Sequence, residues 1–214
     1  MMKQLLMGFV LLVALVGCET MYYNTMEKVG IHKRDILIDR IESAQDAQKD
    51  GQEQFKSALE EFKAVTNFQG GELETVYSRL NDEYEDSVSA ADNIRNRINK
   101  VDDVAEALFN EWNDELGQYS SANLRRASER KLSDTKAKYK RLIRAMRKAE
   151  ASIDPVLNVL RDNVLYLKHN LNSRAISSLK GELGSVNTNV STLIRDMQKA
   201  INESDLFIKQ LQEG

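Results

Sequence analysis

Cys18 is the residue of this sequence whose surroundings point to a definite reaction. It follows Leu15-Val16-Gly17, and residues 5–16, LLMGFVLLVALV, form an apolar run behind the positive charge of Lys3. Small residues and a cysteine directly after such a run form a lipobox, in which the sulfur is diacylated, the chain is cut and the freed amine is acylated. Because each buried CH₂ contributes only about 0.8 kcal/mol, durable anchoring takes more than one acyl chain. We therefore expect residues 1–17 to be a removable lipoprotein signal peptide and Cys18 to carry the lipid.

An uncleaved signal anchor, with Cys18 incidental at its end, is the alternative interpretation. The apolar run has 12 residues, whereas a helix that crosses a bilayer needs about 20, so cleavage is favoured. The mature chain would then lie on the periplasmic face of a bacterial membrane. Glu19 follows the cysteine, in place of the aspartate that favours retention in the inner membrane of enteric bacteria. We therefore expect the outer membrane rather than the inner one.

The composition argues against several kinds of chemistry. Cys18 is the only cysteine, so the mature chain forms no disulfide within itself and has no thiol chemistry. Without residues 1–17 it carries 29 basic and 33 acidic residues, a net charge of −4, and we expect no nucleic-acid partner. Pro155 is the single proline and glycine is sparse. These choices are typical of a helical protein.

Motifs for catalysis and for cofactor binding are missing from the sequence. It contains no GxxxxGK[ST] loop for nucleotide phosphates, no HExxH, no GxSxG and no cysteine cluster. The two histidines, His32 and His169, have no partner at a spacing that binds metal, so each is interpreted as a solvated or capping residue. We therefore expect no enzyme activity, no cofactor and no metal site. Tyr22 and Tyr23 lie close to the lipid and suit either a membrane interface or packing on the base of the helical body.

The body that must position any site is predicted from its apolar periodicity. Apolar residues recur at alternating steps of four and three in four segments, residues 37–65, 73–119, 132–167 and 176–211. Helix breaks are expected at 67–71, 119–121, 151–155 and 170–173, where glycine, serine, proline or asparagine occurs. The sequence thus predicts an all-α fold, an elongated antiparallel bundle of three to four long helices with coiled-coil-like packing. Residues 18–32 are then a lipidated tether, and residues 33–214 the bundle.

Several heptad positions carry unusual residues. Gln48 and Gly51 are weak positions in the first segment. Aromatic residues at heptad positions are expected to pack in the core; they are Tyr77, Tyr84, Trp112, Tyr119 and Tyr139.

Residues 125–148 carry 11 basic residues and two acidic ones, Glu129 and Asp134. One interpretation is internal pairing: a hairpin centred near residues 120–121 places residue i opposite about 241 − i, which brings this stretch against the acidic residues 102–115. The expected pairs are Arg126 with Glu115, Arg130 with Glu111, Lys136 and Lys138 with Glu106 and Asp103, and Lys140 with Asp102. The alternative is a binding surface, which would persist near residues 141–148.

Four stretches resemble one family. They are YYNTMEKVGIHKRDIL (22–37), DEYEDS (82–87), DVAEALFNEW (103–112) and VLYLKHNLN (164–172). The chain resembles domain-of-unknown-function family 2959 over nearly the whole mature sequence. The resemblance implies an envelope lipoprotein of Gram-negative bacteria with coiled-coil character, and it implies no activity and no catalytic residues.

Two functions follow as expectations. The first is a membrane-anchored periplasmic lipoprotein with a structural or protein-interaction role, whose partner is an envelope protein or a cell-wall component. The alternative is a carrier or sensor that binds lipid or a small amphiphile between the helices, where small residues such as Ala91 and Ala105 leave room.

Overall fold

A computed structural model describes residues 32–68, 70 and 72–213, apart from the side chain of Ser173. The helices are α1 (Lys33–Thr66), α2 (Leu73–Glu115), α3 (Ala122–Ala151), α4 (Ile153–His169) and α5 (Ser173–Glu213), and a 3₁₀ turn, Leu116–Gln118, follows α2. These ranges contain no strand, which confirms the predicted all-α class. Within them, no helix combines the length and the apolar character needed to cross a membrane.

Four long antiparallel rods make up the bundle, because α3 and α4 together form one side of it. α1 packs on α2 and α5, and the α3–α4 rod packs on the same two helices from the opposite side. Side chains of α1 fix the antiparallel register with α5: Gln45 donates to the carbonyl of Ile201 and Gln52 to that of Ile194. α2 has 43 residues and is about 65 Å long, so the bundle is elongated.

The apolar periodicity predicts the core well. Every heptad position predicted in α1 is buried, and so are those predicted in α3 and α4. The largest fully buried side chains include Phe55, Phe62, Ile94 and Met146. Most helical stability in such a bundle comes from burying these faces between neighbours rather than from helix propensity.

The predicted break before Pro155 occurs at Ser152, which separates α3 from α4. α4 restarts at Ile153, so proline lies in its first turn, where its missing N–H costs least. The Ser152 hydroxyl donates to Asp196 of α5, and Lys148 contacts the same carboxylate at 2.8 Å. Burial opposes ionisation of Asp196, but the hydrogen bonds from Lys148 and Ser152 outweigh burial and hold its pKa below the usual range. The Asp196 carboxylate thus connects the break between α3 and α4 to α5.

The α2–α3 hairpin extends past the rest of the bundle. No residue between Phe109 and Leu132 is buried, because beyond the Lys33–Glu111 pair only α2 and α3 continue among the described helices. The expectation that Tyr119 packs in the core is therefore wrong: its side chain is 41% exposed. The predicted turn at this hairpin is confirmed, and Ser121 accepts a hydrogen bond from the Leu124 amide.

The two weak heptad positions of α1 differ in their consequences. A Cβ at Gly51 would lie 2.6 Å from Cδ1 of Ile94, so glycine lets α1 and α2 approach closely. Gln48 is 0% exposed, and neither its amide oxygen nor its amide nitrogen has a hydrogen-bond partner. An unsatisfied buried polar group costs about 1–3 kcal/mol, so Gln48 weakens the core.

Replacing Gln48 with methionine is therefore expected to stabilise the protein. Methionine has a similar volume and no amide to desolvate, and we expect the free energy of unfolding to rise by about 1–2 kcal/mol and Tm by about 4 °C. Gln52→Met is the matched control, because the Gln52 amide donates to the Ile194 carbonyl at 3.0 Å and the substitution removes that bond. Thermal unfolding followed by circular dichroism measures both. An equal loss of Tm in the two variants would contradict the account of Gln48.

Candidate interaction surface

Four cations on the outer face of α3 form what we call the basic ridge: Arg130, Lys140, Arg141 and Arg144. All four are exposed, and none makes an ion pair or a hydrogen bond with any described residue. Successive residues of an α-helix are about 100° apart and 1.5 Å apart along the axis. The ridge therefore occupies an arc of roughly 100° and runs for about 21 Å.

The predicted hairpin register is confirmed by two contacts between α2 and α3. The Tyr139 hydroxyl donates to Asp102 at 2.7 Å, and the Trp112 indole N–H donates to Ser128 at 2.8 Å. Their residue numbers sum to 241 and 240. Residues on the two helices thus lie at the heights that the sequence predicts.

The predicted ion pairs across this hairpin are wrong. Glu111 pairs with Lys33 of α1 rather than with Arg130, and Asp102 contacts Tyr139 and Arg147 rather than Lys140. The other predicted pairs, Arg126–Glu115 and those of Lys136 and Lys138 with Glu106 and Asp103, are also not formed among the described residues. Equal height does not bring two side chains face to face, because one residue along a helix turns the side chain by about 100°. Lys140 therefore points to solvent where Tyr139 points to α2.

Other cations of the stretch do have partners, mostly on α3 itself. Lys138 pairs with Asp134 at 2.7 Å, and Arg125 lies 3.5 Å from Glu129. Lys136 lies over the ring of Phe109, 5.6 Å from its centroid. Glu203 of α5 lines the same shallow groove as Arg141 and makes no ion pair with it. No cation of the basic ridge thus has an ion-pair partner in the described part of the bundle.

Tyr139 is the titratable group most changed by its surroundings. Burial raises the pKa of its hydroxyl well above the usual range, and the hydrogen bond to Asp102 raises it further, because a phenolate would lie beside a carboxylate. The ring also packs against Phe109 and Phe207. This position is a structural link between α2, α3 and α5.

The stability of the protein is expected to fall above about pH 10 because of Tyr139. An unfolded tyrosine loses its proton near pH 10, whereas the folded one keeps it, so each pH unit above 10 favours unfolding by about 1.4 kcal/mol. Below pH 10 both states are protonated and this contribution is constant. Urea unfolding from pH 9 to 11.5 should show a shallower decline for Tyr139→Phe than for the wild type. The exposed Tyr119→Phe serves as control, and an unchanged slope in Tyr139→Phe would refute the assignment.

The remaining residues singled out in the sequence do not converge on one site. His32 and His169 are both exposed, and they lie at the start of α1 and the end of α4. No three metal-ligating side chains come together in the part of the chain that the structure describes. Cys18, Tyr22 and Tyr23 lie outside the described residues.

Arginine-rich ridges suit ligands that carry carboxylates or phosphates. Three of the four ridge cations are arginines, whose planar guanidinium groups bind such groups with two parallel hydrogen bonds. Ala137 lies within the same arc, is exposed and leaves the arginines accessible. The sequence revealed the excess of charge, but not which cations stay free.

Comparison with known proteins gives a family match. The sequence model of the family described as "Protein of unknown function (DUF2959)" matches residues 22–211, which agrees with the resemblance predicted from four short stretches. A search of curated proteins finds no match.

Proposed function

We propose that this chain, which belongs to the DUF2959 family of proteins of unknown function, is a lipid-anchored envelope protein that binds a partner through the basic ridge. The anchor is Cys18, after removal of residues 1–17, and the mature chain lies on the periplasmic face of a bacterial membrane, with the outer membrane preferred. The role is structural or one of protein interaction, and it includes no catalytic step. The partner we favour is an envelope protein with an acidic surface.

The exposed cations of α3 are the observation that carries this proposal. Clustered like charges on one helix face repel one another, so the ridge lowers the stability of the free protein. Binding of an acidic partner would remove this repulsion. Charge complementarity speeds association and selects the partner, and its effect on the association rate falls with ionic strength. A ridge of about 21 Å offers a contact that an acidic helix or strand edge could follow.

The elongated shape of the bundle also supports an anchored binding protein. The long helices present continuous surfaces, and the α2–α3 hairpin continues beyond the end of the bundle at which α1 begins. A lipid at Cys18 would hold that end near the membrane, because only 13 residues lie between Cys18 and His32. These span at most about 50 Å when fully extended.

Crosslinking in intact cells followed by affinity purification tests this function. The full-length chain with a C-terminal tag should yield a reproducible acidic partner from native membranes, in an amount that falls when the crosslinker is added at high salt. A specimen treated with a cell-wall hydrolase distinguishes a protein partner from a cell-wall polymer. Repeated recovery of the chain alone would contradict the proposal.

The alternative function, binding of a small amphiphile, is favoured by one separate observation. A pocket with an apolar wall and nearby cations lies between the helices at the end of the bundle where α1 begins.

A further inference from the structure

A cavity of about 420 Å³ lies at the end of the bundle where α1 begins. We call it the base pocket. Its apolar wall consists of Leu108 and Trp112 of α2 and Leu211 of α5. The Trp112 ring is held in place by the hydrogen bond from its indole N–H to Ser128. The volume lies in the range of about 300–1,000 Å³ that is usual for small-molecule sites.

Two cations line the same cavity. Lys131 of α3 is exposed and has no ion-pair partner in the described ranges, and Arg34 of α1 has only its neighbour Asp35, at 3.6 Å. No acidic side chain from the described ranges lines the pocket. The pocket therefore offers an apolar wall and an unneutralised positive edge.

A hydrogen-bond donor lies in the same lining. Thr135 makes no side-chain hydrogen bond with any described residue, although the residue as a whole is largely covered. Its hydroxyl is therefore able to donate to a ligand that carries acceptor atoms.

We propose that the base pocket binds an anionic single-chain amphiphile. The tail lies against Leu108, Trp112 and Leu211, and a carboxylate or phosphate head accepts hydrogen bonds near Lys131 and Thr135. An uncharged apolar ligand would leave Lys131 and Arg34 without a partner of opposite charge, and a cationic one would be repelled by them. This inference rests on the alternative function and names its ligand class, and it does not depend on lipidation of Cys18 or on the basic ridge.

Trp112 makes the proposal directly testable, because it is the only tryptophan of the chain and lines the pocket. The soluble chain from Glu19 onward contains every residue of the bundle and its core, and circular dichroism verifies that it is folded. Decanoate and decyl phosphate are titrated separately, below their micellar concentrations, while Trp112 fluorescence is recorded. We expect a saturable change with at least one of them, and the tighter binder identifies the head group.

Charge variants at two distant positions provide the control. Lys131→Glu should raise the Kd at least tenfold, whereas Lys180→Glu should leave it unchanged, because Lys180 is exposed on α5 and lies 30 residues before Gln210 of the pocket lining. Decanol and decyltrimethylammonium should bind at least tenfold more weakly than the anions. The proposal is overturned if no saturable change occurs, if both lysine variants weaken binding equally, or if the cationic probe binds as well as the anions.

Discussion

Reversal of three charges on the basic ridge is expected to reduce crosslinking to the partner at least tenfold. The variant Arg130→Glu/Arg141→Glu/Arg144→Glu removes three guanidinium groups and places carboxylates against an acidic surface. A tenfold loss corresponds to about 1.4 kcal/mol of binding free energy, a modest demand on three reversed contacts. Quantitative mass spectrometry of the crosslinked product measures the effect.

The folded state should tolerate these changes. None of the three side chains makes an ion pair or hydrogen bond within the described residues, and all are exposed, so the variant should keep the wild-type Tm within a few degrees. Lys168→Glu/Arg174→Glu/Lys180→Glu is the matched control, with the same change of net charge on exposed cations of α4 and α5. If this control loses the partner to the same extent, the contact depends on overall charge and not on the ridge.

Replacing Cys18 with alanine is expected to abolish lipidation. The acyl acceptor is lost, so incorporation of labelled palmitate should fall to background, and the chain should retain residues 1–17 because cleavage follows lipidation. The intact mass of the wild-type protein should correspond to an N-terminal cysteine with its acyl chains.

A second variant separates the effect of the lipid from that of the signal peptide. In this variant, residues 1–17 are replaced by a signal sequence that the general signal peptidase cuts, and Cys18 is replaced with alanine. The same bundle, without a lipid, should then appear in the soluble periplasmic fraction. Wild-type protein that starts at Met1, or that carries no acyl chain, would contradict lipidation at Cys18.

The heptad spacing predicted the bundle because burial follows periodicity wherever four helices meet. The same pattern failed at Tyr119, since a sequence does not reveal where the third and fourth helices end. Phe109, outside the predicted heptad series, is buried instead and meets the ring of Tyr139. The break at Ser152 was predictable because proline restricts the helix whatever its neighbours.

The charge pattern shows a different limit. The hairpin register, in which residue i lies opposite about 241 − i, predicted the height of the Tyr139–Asp102 contact. The ion pairs expected from the same register do not form. Contact between side chains depends on rotation about each helix axis, which the rest of the bundle sets. The Lys33–Glu111 pair and the base pocket escaped prediction because residues from distant parts of the sequence form them.

Site-specific photo-crosslinking from Ala137 tests whether the basic ridge contacts a partner protein. Ala137 is exposed and lies among the cations of the basic ridge, so a photoreactive phenylalanine there probes this surface in intact cells. Ala64, exposed on α1, is the control position. We expect a discrete protein adduct from position 137 that disappears in the triple ridge variant and is absent from position 64. No adduct at 137, or the same adducts from both positions, would contradict this contact.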